Sequence, residues 1–266
     1  MQYSSLNKFL KLALLVSFLL FITLSLINWW VGDLPNIIDH FSDDAYYYFE
    51  IADNFATKGK ITFDDINYTN GFHPLMLITL SPIFLLTKSS TVALRIFGSF
   101  ATILLGVGGY FSWRYISTHY RLISASIAMP VVLFFTSVFN ADNMEINLLI
   151  PLCITTLIFL IKINPWDKTP KSKQNLLLIG VFFALIQLAR LDAVFLTITL
   201  TSSIVASSYF KLDNTVTMLK RTFFITLPPA VTGLGYLATN YIYFQHFLPV
   251  SGKVKSMGSN ALNSKW

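Results

Sequence analysis

From Leu12 to Val31 the chain runs twenty residues without a charge. At 1.5 Å per helical residue, such a run crosses a hydrocarbon core of about 30 Å. The pattern recurs. Segments 10–31, 93–113, 122–140, 144–162, 175–190, 193–210 and 222–244 all read as apolar helices of spanning length. A shorter run, 74–87, is punctuated by Pro74 and Pro82. It would reach only about 20 Å as a helix, which leaves it re-entrant, oblique or a full crossing. The fold expected is all-α, a polytopic bundle of about seven or eight hydrophobic helices. The whole of 1–266 reads as a single transmembrane domain, with no linker and no internal repeat.

Composition agrees. Charged residues make up 12% of the 266 and hydrophobic ones 54%, against about 25% charged in soluble domains. The net charge of +6 does not point to nucleic acid, because no basic-aromatic platform accompanies it. It points to topology instead. The clusters Arg114–Arg121, Lys162/Lys168/Lys171/Lys173 and Lys211/Lys220/Arg221 belong on the cytoplasmic side by the positive-inside rule. Four polar stretches then share the other side: Asp33–Phe72, Asn140–Glu145, Arg190–Asp192 and Gln245–Trp266. The first helix is too long for a cleaved signal peptide. It ends on Trp29–Trp30, an interfacial aromatic pair. A lone Cys153 within an apolar run excludes a disulfide framework.

The polar stretches hold the chemistry. In Ser42–Asp43–Asp44–Ala45–Tyr46–Tyr47–Tyr48–Phe49–Glu50, helical spacing puts Ala45, Phe49, Ala52 and Ala56 on one face, and Asp43, Tyr47, Glu50 and Asn54 on the other. Gly59 marks the C-terminal stop. An amphipathic helix lying on the membrane, apolar side down, is the expected form. The plain account of the acids is N-capping, since a helix start favours carboxylates. The functional account makes one of them a general base. His73, at the end of Asn67–Tyr68–Thr69–Asn70–Gly71–Phe72–His73–Pro74, is either structural or a phosphate donor. Glu145 enters the start of an apolar helix, where ionisable groups are costly and often functional. Arg190–Leu191–Asp192 splits an apolar stretch; it serves as a charge-compensated turn, as a phosphate fork, or as both. Lys253 and Lys255 follow Pro249–Val250–Ser251–Gly252 as a tail or a basic clamp; no P-loop pattern is present.

Taken in order, Asp43-Asp44-Ala45-Tyr46-Tyr47-Tyr48, Gly59-Lys60-Ile61-Thr62-Phe63-Asp64, Thr69-Asn70-Gly71-Phe72-His73-Pro74-Leu75, Met144-Glu145, Ala189-Arg190-Leu191-Asp192 and Pro249-Val250-Ser251-Gly252-Lys253 resemble the GT-C superfamily of integral membrane glycosyltransferases. The nearest likeness is to bacterial members related to protein O-mannosyltransferases and the lipid A aminoarabinose transferase. The resemblance implies an inverting transfer of sugar from a polyprenyl-phosphate donor to an acceptor hydroxyl. The reaction would take place on the extracytoplasmic face of the bacterial inner membrane. The acceptor would be a glycan, a lipid or a protein. Asp43 would be the base, aided by Asp44. His73, Arg190, Lys253 and Lys255 would hold the donor phosphate. Tyr47, Glu50, Asn70, Glu145 and Asp192 would line the sugar and acceptor. No cofactor is implied. A divalent cation at Asp43/Asp44 ranks lower, because adjacent aspartates are poorly placed to chelate together. The sequence departs from the pattern at Asn143, where Gly is expected, and at Leu191, where Pro is expected. Family members continue with further helices and often a soluble domain, so the C-terminal part of that architecture is expected to be missing here. The rival readings are a lipid-linked sugar flippase and a non-catalytic polyprenyl-lipid-binding subunit.

Overall fold

A computed structural model describes residues 2–119, 144–167, 171–210, 214–247 and 249. The expected helix over 122–140 lies outside them, as do Lys253 and Lys255. Every regular element among the described residues is helical, and one isolated antiparallel bridge joins Thr62 to Tyr68. In chain order the helices are α1 (Gln2–Val31), α2 (Leu34–Asp39), α3 (Asp43–Lys58), α4 (Pro74–Leu86), α5 (Ser90–His119), α6 (Ile146–Ile163), α7 (Lys173–Ala189), α8 (Val194–Phe210) and α9 (Thr215–Phe244). A 3-10 turn, Leu191–Ala193, joins α7 to α8.

Among the described residues, three stretches are long and apolar enough to cross a membrane: Ser90–Phe111, Ile146–Ile163 and Leu191–Phe210. Leu15–Val31, Pro74–Leu86 and Lys173–Ala189 are apolar over shorter lengths. These helices suggest a membrane protein. The expected segment 222–244 falls within α9, which starts at Thr215 and is interrupted by Pro228 and Pro229.

The chain divides into two compact units. The first comprises Met1–Tyr46 and Leu86–Ile158. Its centre is the pairing of α1 with α5. Gly98 makes this pairing close, because a Cβ there would sit 2.5 Å from the Trp29 ring. Trp29 is therefore buried and donates to Thr102 Oγ1 at 3.1 Å. Of the expected interfacial pair, only Trp30 is substantially exposed. Trp29 is a packing residue, because a neighbouring glycine leaves room for an indole. Arg95 completes the joint. Its guanidinium donates to the carbonyls of Trp29 (2.8 Å), Trp30 (2.7 Å) and Gly32 (3.1 Å). The last carbonyls of a helix have no partner within it, and a cation there also meets the negative end of the helix dipole.

The second unit comprises Tyr47–Leu85 and Phe159–Trp266. Helices α7, α8 and α9 pack around Leu160, Leu176, Ile179, Phe183, Ile204 and Ile225. Arg221, one of the basic residues that the sequence assigns to a cytoplasmic connection, is drawn into the protein interior. It is buried, donating to Ser208 Oγ at 2.7 Å and to the Asp167 carbonyl at 3.0 Å. The Trp166 indole donates to Ser203 Oγ at 3.0 Å, and Ser207 Oγ donates to the Trp166 carbonyl at 2.9 Å. A buried charge is tolerable when its donors are bonded, so Arg221 fastens α9 to α8 and to the turn before α7.

Candidate functional site

Helix α3 starts at Asp43, so Asp43 and Asp44 occupy its first turn, and both are exposed. Ala45, Tyr48, Phe49, Ile51 and Ala52 are buried, as the helical spacing requires. The destination of that face differs from expectation. It packs on protein, with Phe49 edge-to-face on Phe84 of α4 at 5.9 Å between ring centres. Much of the apolar face is thus covered by the chain's own side chains, while Phe55, further along α3, is exposed.

Asn54 also departs from its expected place on the polar face. It is buried, and its amide donates to the carbonyls of Thr62 (3.0 Å) and Phe63 (3.4 Å). Its Oδ1 accepts from Lys58 Nζ at 2.9 Å. Beyond the helix, Gly59 adopts φ +69°, a left-handed value that glycine takes without steric cost. The chain can then fold back along α3. The loop that follows is tied into a turn by Asp64. Its carboxylate accepts from the backbone N–H groups of Asn67 (2.7 Å) and Ile66 (3.0 Å), the Asn67 amide (2.7 Å) and Thr62 Oγ1 (3.1 Å). Lys58 pairs with Asp65 alongside. Tyr47 fastens the returning segment, its hydroxyl 2.8 Å from Thr69 Oγ1 and its ring stacked on Phe63 at 5.0 Å.

Those bonds hold the Asp64 carboxyl well below the usual carboxylate range; the Asn67 backbone N–H is the largest cause, followed by the Asn67 side chain. A folded-state pKa below the unfolded value of about 3.9 supplies stability that is complete above about pH 4. It is lost as pH falls through the folded value. Protection of the Ile66 and Asn67 amides, measured as exchange relative to an unstructured chain at the same pH, should therefore persist as pH is lowered through 4 and be lost only further down. In Asp64→Ala those amides should lack this protection at every pH. Nearby, burial raises the Tyr46 pKa, with the Asp39 and Asp43 carboxylates adding to it. Tyr46 is thus kept as a neutral phenol, donating to the Ile38 carbonyl at 3.0 Å.

The polar segment Asn70–His73 leads into α4. Asn70 is buried. The His73 carbonyl accepts from Met76 (3.0 Å) and Leu77 (3.3 Å), starting the helix behind Pro74, a residue suited to a first turn. The His73 ring lies nearly parallel to that of Tyr48, 6.2 Å between centres and 18° between planes. Its Nδ1 accepts from the Leu191 backbone N–H at 3.4 Å. A neutral ring that accepts at Nδ1 carries its proton on Nε2.

Leu191 belongs to the corner between α7 and α8. Arg190 leaves the helix in an extended conformation, φ −153° and ψ 117°. Its Nε donates to both Asp192 oxygens, at 2.9 and 3.1 Å. The charge-compensated turn expected from sequence is thus formed. The Arg190 side chain is 38% exposed and that of Asp192 62%, which keeps the pair accessible.

Tyr47, Glu50, Asn70, His73, Arg190 and Asp192 all belong to the second unit; of these, His73 is joined through Leu191 to the corner formed by Arg190 and Asp192, while Tyr47 is held by Thr69 and Glu50 is exposed one turn beyond it on α3. Asp43, Asp44 and Glu145 belong to the first unit. Glu145 is buried, and its carbonyl accepts from Leu148 (3.1 Å) and Leu149 (2.9 Å) at the start of α6. Among the described residues no three His, Cys, Asp or Glu side chains cluster to hold a metal ion. Sequence reasoning gave Asn54, Arg95 and Tyr48 no role of their own in the site. An arginine within an apolar run is a signal that points to Arg95; nothing local marks the other two.

No protein-family model, curated protein or solved structure matches this chain.

Proposed function

We propose that this chain is an inverting membrane glycosyltransferase of GT-C type, using a sugar carried on a polyprenyl phosphate. In this reading about seven or eight helices lie in the bilayer, and the site opens on the extracytoplasmic face of a bacterial inner membrane. Asp43, exposed in the first turn of α3, takes the proton of the acceptor hydroxyl, and Asp44 supports it. The hydroxyl oxygen bonds to the anomeric carbon from the face opposite the phosphate. The bond from that carbon to the phosphate oxygen breaks, and the polyprenyl phosphate leaves with the electron pair.

Leaving-group charge is the main electrostatic problem of this step, and fixed cations and donors aimed at developing charge are usually the largest catalytic term. Arg190 supplies the cation, with Lys253 and Lys255 joining it from the tail. The proton on His73 Nε2 is a neutral donor for the same phosphate. Tyr47, Glu50, Asn70, Glu145 and Asp192 bear on the sugar and acceptor.

The observation that carries the reading is the seating of His73 on the Arg190 corner. The hydrogen bond joins His73 to Leu191, 118 residues on in sequence and next to Arg190. The test is to supply a radiolabelled polyprenyl-phosphate sugar to proteoliposomes holding the full chain, with candidate acceptors present. Labelled product is the expected result. Movement of the lipid between leaflets without product would mean a flippase, and binding alone a lipid-binding subunit.

A further inference from the structure

His73 has two ring nitrogens, and Nδ1 is the one that meets the Arg190 corner. The backbone N–H of Leu191 begins the 3-10 turn that follows Arg190. An N–H at the start of a helical turn has no partner within the turn, and here the His73 ring supplies one. The acceptor is itself held from two sides. His73 precedes Pro74, so its backbone is tied to the first turn of α4 through its own carbonyl. Its ring lies on Tyr48, a buried residue of α3. One imidazole thus touches α3, starts α4 and accepts from the corner between α7 and α8, all within one unit.

Arg190 is the residue adjacent to Leu191, and its extended backbone depends on the chain leaving α7 at that point. We propose that His73 is a positioning residue: laid on Tyr48, its Nδ1 accepts the Leu191 N–H and fixes the corner that presents Arg190. The inference rests on the glycosyltransferase reading only for what Arg190 is presented to. The linkage itself is a statement about geometry. Its value for catalysis is preorganisation, since a phosphate fork about 1 Å out of place loses much of its effect.

Two conservative substitutions separate this role from direct phosphate contact. An asparagine carbonyl oxygen takes the place of Nδ1 and still accepts. A glutamine amide nitrogen takes the place of Nε2 and still donates, but leaves nothing at Nδ1. The experiment is amide hydrogen exchange at Leu191 in the full chain in lipid nanodiscs, for wild type, His73→Asn and His73→Gln. His73→Asn should keep exchange within about twofold of wild type. His73→Gln should speed it by about fivefold, the equilibrium factor for one net hydrogen bond. Equal exchange in the two variants, or full protection in His73→Gln, overturns the proposal. Transfer assays on the same samples give the functional arm: kcat should fall in His73→Gln although glutamine keeps the Nε2 donor, and in His73→Asn only through the loss of that donor. Wild-type kcat in His73→Gln assigns His73 to the phosphate alone and also overturns the proposal. If wild type forms no product, the glycosyltransferase reading fails, while the exchange data still decide the linkage.

Discussion

Asp43→Asn should reduce sugar transfer by about 10²–10⁴-fold, the usual cost of losing a positioned base, with the chain still inserted and folded. Asparagine keeps the size and hydrogen-bonding reach of aspartate but cannot take up the acceptor's proton. The substitution isolates that step because Asp43 is exposed. Exposed positions usually shift stability by no more than about 0.5 kcal/mol. A lost favourable contact with the dipole of α3 adds about 0.3–1 kcal/mol. Asp44→Asn should cost less, since its role is support. The measurement is labelled product per unit of inserted protein in proteoliposomes. Wild-type turnover in Asp43→Asn would take this residue out of the mechanism.

Gly180→Ala should destabilise the protein by about 3 kcal/mol, the upper part of the range for overpacking a close contact. In α9, Pro229 has no N–H, so the carbonyl of Ile225 lacks its usual partner four residues on. That oxygen faces Gly180 of α7. A Cβ on Gly180 would lie 2.5 Å from it and 2.8 Å from Pro228 Cδ. Neither can swing aside, one being backbone and the other a ring closed onto it. The bare glycine lets the helices approach until Cα–H groups meet the orphaned carbonyl, a weak but recurrent contact. Gly233 and Gly235 of α9 provide the control. Nothing lies within 4 Å of a Cβ at either, so alanine there should be neutral or stabilising by up to about 1 kcal/mol through helix propensity. Denaturation in detergent should show the opposite signs. A Gly180→Ala protein as stable as wild type would mean that α7 and α9 are not in this contact.

How far the sequence carries is visible helix by helix. The start of α4 at Pro74, the end of α3 before Gly59 and the break at Arg190–Asp192 are all marked by residues whose backbone or charge preference acts locally. The apolar face of α3 is equally local, because Ala45, Phe49 and Ala52 recur at the helical period. What that face packs against is not. The spacing suits lipid and protein alike, and only the arrival of Phe84 decides between them. Arg221 teaches the same lesson. A basic residue near a helix start reads as a topology signal, yet Ser208 and the Asp167 carbonyl draw it inside.

By itself, the sequence determined that this chain is helical and apolar, where most helices start and stop, and which polar residues stand at their ends. Those properties depend on neighbours within a turn or two. Tertiary structure alone decided that Trp29 is buried, that Arg95 caps another helix, and that His73 meets Leu191. Each joins groups separated by tens of residues, and such pairs are set by how helices pack, which no local pattern encodes.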